Sequence, residues 1–348
     1  MSMWCEWQRV LGCLIAGLAV LGCTNGDDGA AYRLGAQAGQ LKAVTATDSG
    51  FVAVGYDSHD ALVLSSADAM TWTRVSLPAA GNVGLVESFL FDVAAGNGIV
   101  VAVGNDAAAN GFLARRSPQG EWSVARTMSA YAHVIFGNGI FVSSGVVANA
   151  ASRDGISWTP TAGGSSIAFD GDQFIALDPL LPATPGGQPS LLAGYYATSD
   201  DGFAWSDPLP TPHGLSRWDA LARVGPQVLG FAGSTDPLLK EAQVAGTAGQ
   251  SLADLEVTKT ALTDGGMSGI ASDGVRFVVV ASIATLWTTS LPIGSSSLWT
   301  SFDTAGRGVA IAGIAFGSST YVAVGLRASA TDPFPAVLTS TDAVSWQD

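Results

Sequence analysis

After Cys23 the chain holds no further cysteine; its three, Cys5, Cys13 and Cys23, all fall within the first 23 residues. A disulfide framework is thereby excluded for everything downstream. Charge is sparse too, at 13% of residues, with 29 acids against 15 bases and a formal charge of −14. Such a balance repels phosphate backbones, so no nucleic-acid partner is expected, and it suits the solvated surface of a secreted protein. No P-loop, Gly-x-Ser-x-Gly, His-Glu-x-x-His or paired Cys-x-x-Cys occurs, which removes the usual signatures of nucleotide, acyl-transfer and zinc chemistry. What the chain has in quantity is apolar residues, 48%, and glycine, 43 of 348 positions. It can bury a large core, and its glycines ask for many tight turns. The length suits two average domains or one large all-β domain.

The chain starts MSMWCEWQRVLGCLIAGLAVLGC, with Arg9 ahead of the 13-residue apolar run VLGCLIAGLAVLG. A bilayer span needs roughly 20 such residues, so the run reads as the core of a signal peptide. It ends in LAVLGC, which resembles a bacterial lipobox. The resemblance implies cleavage after Gly22 and a diacylglycerol thioether on Cys23. It also implies anchoring in the bacterial cell envelope, at the outer membrane or cell surface; Thr24 resembles the outer-membrane sorting pattern of diderm bacteria. An ordinary secretory signal with a chance cysteine is the alternative. Residues 1–22 are expected as signal peptide, 23–30 as lipidated tether and 31–348 as the folded domain.

Short apolar runs recur along that domain. FVAVG ends at Gly55, IVVAVG at Gly104, IFVSSG at Gly145, FIALD at Asp178, VLGFAG at Gly233, FVVVAS at Ser282 and YVAVG at Gly325. Six intervals cover 270 residues, a mean of 45. Most runs follow a turn such as GNG or DSG, with another apolar stretch before it, which predicts hairpins. A second series keeps step with the first. Ser-x-Asp-x-x-x-Trp heptads stand at Ser66, Asp68, Trp72; Ser152, Asp154, Trp158; Ser199, Asp201, Trp205; and Ser340, Asp342, Trp346. Trp122 and Trp299 close altered copies, and an eroded one is due near residue 252, where GQSLADLEV carries leucine. Seven units of four antiparallel strands predict an all-β, seven-bladed β-propeller of four-stranded antiparallel blades.

The heptads resemble the Asp-box of sialidases and of the wider BNR-like propellers, which include photosystem assembly factors. They are one residue shorter than the common Ser-x-Asp-x-Gly-x-x-Trp, and Ala69 and Ala343 replace the glycine seen at Gly155 and Gly202. Their expected role is structural: the aspartate accepts backbone N–H groups across the turn, the serine braces it, and the tryptophan buries its ring beside the next sheet. The last unit lacks an outer strand, which AAYRLG, residues 30–35, is expected to supply.

Ligands of such rings are expected on the face of the second-to-third strand loops, where unequal loops stand on a rigid scaffold. Asp57, His59 and Asp60 share one loop, but no second ligand set recurs at metal spacing, so a solvated loop without metal is expected. His213, Arg217 and Trp218 put cations beside an aromatic platform suited to a sugar or peptide, with a packed Trp as the commoner alternative. Asp92 and His133 align with Ala43, Ser166, Ala220, Gly269 and Gly313 at the ring centre; they form either an acid–base couple or a structural hydrogen bond. Arg327 stands in the loop of the last unit. A sialidase reading requires three arginines, a tyrosine with a glutamate, and an aspartate. Tyr32 and Arg33 resemble its Tyr/Phe-Arg-Ile-Pro without the proline, while Arg74, Arg223, Arg276 and Arg327 stand in no matching motif. The expectation is a monomeric, non-catalytic envelope-anchored propeller, without cofactor, that binds a protein or glycan. A sialidase-like glycoside hydrolase and a structural subunit of an envelope complex are the alternatives.

Overall fold

The computed structural model describes residues 31–348 except 35–36, 59, 79–86, 128, 146–148, 163, 182–189, 192–193, 235–240, 260–266, 282–283, 291–297 and 330–331. Cys23 and His59 therefore lie outside the described residues. The repeats fold as seven consecutive antiparallel sheets, spanning residues 39–74, 88–126, 133–161, 164–210, 215–259, 267–303 and 309–340. This is the seven-bladed β-propeller that the spacing predicts, and blades 1 to 7 are numbered in that order. The second strand of each blade is the apolar run. Gly50–Asp57 and Ile99–Asp106 are buried along nearly their whole length, because each blade is covered on both faces by its neighbours. That is why these strands read as continuous hydrophobic runs rather than as alternation.

One core cluster occupies each seam between blades, and the tryptophan series explains where. Trp158 packs in the blade 2–3 cluster, Trp205 in 3–4, Trp299 in 5–6, Trp346 in 6–7 and Trp72 in the 7–1 cluster. Trp122 supports the 1–2 cluster. At the blade 4–5 seam, Leu252 and Leu255 fill the place of the ring, on a short 3-10 turn in the eroded copy. Each blade thus contributes one large apolar wedge to the seam behind it, and burial of that wedge holds the ring together.

The heptad turns share one geometry. Asp68 Oδ1 accepts the N–H groups of Met70 and Thr71 at 2.9 and 2.7 Å, and the Ser66 hydroxyl donates to it at 3.0 Å. Asp154, Asp201 and Asp342 repeat the pattern on Ile156 and Ser157, on Phe203 and Ala204, and on Val344 and Ser345. These backbone donors hold the four carboxyls below the ordinary carboxylate range, Asp68 at about 2. The fourth heptad residue adopts positive φ, at 69° in Gly155 and Gly202 and 66° and 61° in Ala69 and Ala343. Glycine suits that position, and the two alanines accept the left-handed strain. The turns also tie neighbouring blades. Arg115 donates to Asp154 O at 2.7 Å, Asn138 to Asp200 O at 3.0 Å, and Arg276 donates to Asp342 O.

Ring closure differs from expectation. Residues 31–34 do not complete blade 7. Ala31 instead bridges Thr73 on the outer edge of blade 1, and the Tyr32 N–H donates to Trp72 O at 2.6 Å. The physical reason is Asp57, a carboxylate only 1% exposed. It pairs with the Arg74 guanidinium and accepts the Tyr32 hydroxyl at 3.2 Å; a buried charge needs such partners. The three-stranded sheet of blade 7 is extended at its outer edge by an isolated bridge of its own, Gln347, which exchanges both backbone hydrogen bonds with Thr339 at 2.8 and 2.9 Å. Blades 7 and 1 then meet by packing and by a bond across the seam, Gly39 N–H to Pro333 O at 2.8 Å.

Candidate functional site

The innermost strands surround a central channel of about 590 Å³, lined by all seven blades. Ala43, Asp92, His133, Ser166, Ala220, Gly269 and Gly313 each pair with the equivalent residue of the second strand: Val54, Val103, Ser144, Leu177, Phe231, Val280 and Val324. The seven aligned positions are therefore one layer of the wall. A β-bulge precedes this layer in blades 1, 2, 6 and 7, and in blade 5 a bulge falls at Asp219. Bulges re-aim side chains, and here the extra residues, Lys42, Phe91, Asp219, Ser268 and Ala312, also line the channel.

Asp92 and His133 meet across the blade 2–3 seam. Asp92 Oδ2 lies 3.6 Å from His133 Nδ1 and accepts the Val134 N–H at 3.0 Å, while Oδ1 accepts the Val93 N–H at 2.8 Å. One carboxylate thus braces the middle of its own strand and the start of the next blade's, and it stands beside an imidazole whose side chain is 65% exposed. The neighbouring Asp92 carboxylate raises the His133 pKa above its ordinary 6.5, against the lowering effect of burial. A raised folded value means that the pair stabilises fully below the unfolded pKa and loses that contribution as pH rises through the folded one. Between pH 6 and 8 wild type is expected to lose a few tenths of a kcal/mol more stability than His133→Ala, a small effect because solvent screens the pair. Denaturant midpoints measured across that range check it; parallel pH profiles would remove the pair from any pH role.

Trp218 and Asp219 stand on the far wall, in blade 5. The Trp218 backbone N–H donates to Ser166 Oγ at 2.8 Å, and that hydroxyl donates to Trp218 O at 3.1 Å, a link between blades 4 and 5. The Trp218 ring is buried in the seam cluster rather than displayed as a platform. Arg217 turns to Asp219 Oδ1 at 2.7 Å. Trp218 Nε1 and Asp219 Oδ2 are buried without a hydrogen-bond partner among the described residues, and such groups are costly to leave unmet. In blade 1, Lys42 Nζ lies 5.9 Å from the Tyr56 ring centroid, and Tyr56 meets Phe89 edge-on at 5.0 Å. Burial lowers the Lys42 pKa. A cation, an aromatic pair, a carboxylate–imidazole couple and a second carboxylate are thus distributed around one mouth.

Other sequence candidates lie elsewhere. Asp57 is not in a solvated loop but in the buried Arg74–Tyr32 cluster; Asp60 is exposed at the start of the next strand. Among the described residues no three His, Cys, Asp or Glu side chains come together as metal ligands. His213 is exposed on a 3-10 turn at φ 51°, and Arg327 pairs with Asp348 at 2.8 Å. The arginines weighed for sialidase chemistry do not converge: Arg74 pairs with Asp57, Arg223 with Asp172 and Arg276 with Asp273. Lys42, Tyr56, Phe89 and Asp219 escaped the sequence reading. The signal for Lys42 is a charge in an otherwise uncharged strand.

Fold and channel define a seven-bladed propeller with a polar, aromatic-edged mouth. No family model and no curated protein matches the chain. Among solved structures, YCF48 bound to D1 peptide has a TM-score of 0.56 at 14% identity, covering 85% of this chain and 92% of that one. YCF48 from Cyanidioschyzon merolae gives 0.56 at 14%, with 89% and 98% covered. U3-55K gives 0.52 at 10%, with 84% and 90% covered. At these identities the likeness is one of fold.

Proposed function

We propose that this protein is a non-catalytic binding or assembly propeller, tethered to the bacterial envelope by a lipid on Cys23, which receives a protein segment at the channel mouth. The observation that carries the reading is the placement of Asp92, His133, Lys42 and Asp219 around one opening, on strands whose other side chains serve packing. Rigid strands hold these groups in fixed positions, which lowers the ordering cost of binding. YCF48, of similar fold, is solved with D1 peptide, so a propeller of this size can carry a peptide. A protein segment suits the mouth better than a glycan because the aromatic residue expected to stack a sugar, Trp218, is buried.

Affinity capture from solubilised envelopes tests the proposal, with the lipidated wild type compared with Asp92→Asn/His133→Ala and with Asp219→Asn. A protein held by wild type and reduced at least about tenfold by either variant is expected, corresponding to about 1.4 kcal/mol. Equal capture by all three would remove the mouth as the site. Release of a fluorogenic sialoside by the purified protein would replace the binding reading with the enzymatic one.

A further inference from the structure

Among the described residues seven large hydrophobic side chains are exposed. Five of them lie on one face, the face of the heptad turns: Met70 (75%), Ile156 (66%), Val275 (62%), Leu298 (90%) and Val344 (50%). Single exposed hydrophobics are ordinary, but these follow the repeat. Met70, Ile156 and Val344 occupy the fifth heptad position of blades 1, 3 and 7. Leu298 stands in the corresponding turn of blade 6, and Val275 in that blade's first hairpin, beside the Arg276 that reaches Asp342 O. Phe203, at the fifth position in blade 4, is covered by the Arg153 guanidinium at 4.7 Å. Four of the five exposed residues therefore form an arc over the contiguous blades 6, 7 and 1. The heptad carboxylates on this face are turned onto backbone N–H groups.

The start of the described chain is fixed beside the same arc. Ala31 bridges Thr73, three residues from Met70. Seven residues, 24–30, separate it from Cys23, a reach of at most about 25 Å when fully extended. From these two facts we infer that the heptad-turn face of blades 6, 7 and 1 lies against the lipid surface, with Met70, Leu298 and Val344 seated in the headgroup boundary and the channel mouth directed away. The inference rests on the reading of Cys23 as lipid-bearing. A flat lipid boundary suits apolar side chains that are spaced by blades instead of gathered into one groove, and several shallow contacts add to what a lipid chain alone supplies.

The test uses the full lipidated chain in phosphatidylcholine vesicles. With Cys23 acylated and the leader removed, an introduced cysteine is the sole free thiol. Met70→Cys, Leu298→Cys and Val344→Cys on the lower face are compared with Ala107→Cys, exposed in the blade 2 loop on the opposite face. Each is labelled with a water-soluble maleimide, anchored and as an unanchored form produced without residues 1–22 and with Cys23→Ser, so that Cys5 and Cys13 are absent from both forms. Anchoring is expected to slow the three lower-face sites on the order of tenfold, as for thiols withdrawn into the headgroup region, and to leave Ala107→Cys unchanged. Equal rates at all four sites in a chain shown by mass to be lipidated would overturn the orientation and leave anchoring intact, and slowing of Ala107→Cys alone would invert it. Slowing of the lower face relative to Ala107→Cys in the unanchored form without vesicles would assign that face to a contact between copies of the chain instead of lipid. Absence of lipid on Cys23 would overturn the anchoring reading itself.

Discussion

Trp72→Ala is expected to lower the unfolding free energy by about 3–5 kcal/mol, the range for truncating a buried large aromatic. The ring is 2% exposed, and its Nε1–H donates to Ala69 O at 3.1 Å. It belongs to the cluster that joins blade 1 to Val322, Val324 and Val337 of blade 7. Other propeller seams join blades that follow each other in the chain, so covalent connection keeps them close when packing loosens. The 7–1 seam joins the ends of the ring, and among the described residues no strand is shared across it. Loss of the Trp72 wedge therefore opens a cavity where closure depends most on packing. Trp122→Ala removes a half-buried ring from the chain-connected 1–2 seam, and a smaller loss is expected. Chemical denaturation followed by circular dichroism measures both. A Trp72→Ala loss below that of Trp122→Ala would show that closure does not rest on this cluster.

The fold was legible because two independent series kept one period. Apolar runs marked the strand buried on both faces, and heptads marked the turn before the fourth strand. The leucines near residue 252 were readable for the same reason, since Leu252 and Leu255 occupy a place that six tryptophans define. Ring closure was misread because an outer strand can pair with either of two edges, and the choice depends on side-chain contacts. Nothing local in AAYRLG reveals that Asp57, 25 residues from Tyr32, is buried and needs a hydroxyl and a guanidinium. The site was half legible. Aligning innermost strands brought Asp92 and His133 together because their positions follow the period. Lys42 and Asp219 were passed over because each is the extra residue of a bulge, and an alignment in register has no column for it. Of the two readings open for Trp218, platform or packed ring, the packed one holds, because exposure is decided by the seam between blades 4 and 5, not by its neighbours in sequence.

Gly104→Val is expected to cost about 3 kcal/mol or more, the upper range for forcing volume into a packed core, and to cut the yield of folded protein sharply. Gly104 ends one of the apolar runs that first exposed the repeat, and its pairing explains why several of them end in glycine. It lies opposite Leu90, immediately before the bulge at Phe91. The bulge pushes the innermost strand toward it, so an added Cβ would stand 1.9 Å from Phe89 O and 3.0 Å from Leu90 Cα. The same collision awaits at Gly55, 2.0 Å from Gln40 O, and at Gly325, 1.9 Å from Ala310 O, each beside the bulge of its own blade. These neighbours are backbone atoms, which cannot rotate aside as a side chain would. Relief requires the bulged strand to move, and that strand carries Asp92 and the channel wall. Gly306→Ala is the matched control: its nearest neighbour would be Asp303 Oδ2 at 3.9 Å, and a change within about 0.5 kcal/mol is expected at such a surface site. Differential scanning calorimetry of the two variants decides the matter. A Gly104→Val melting temperature close to that of Gly306→Ala would mean that the bulge yields, and that glycine at the end of these runs answers to something other than the bulge.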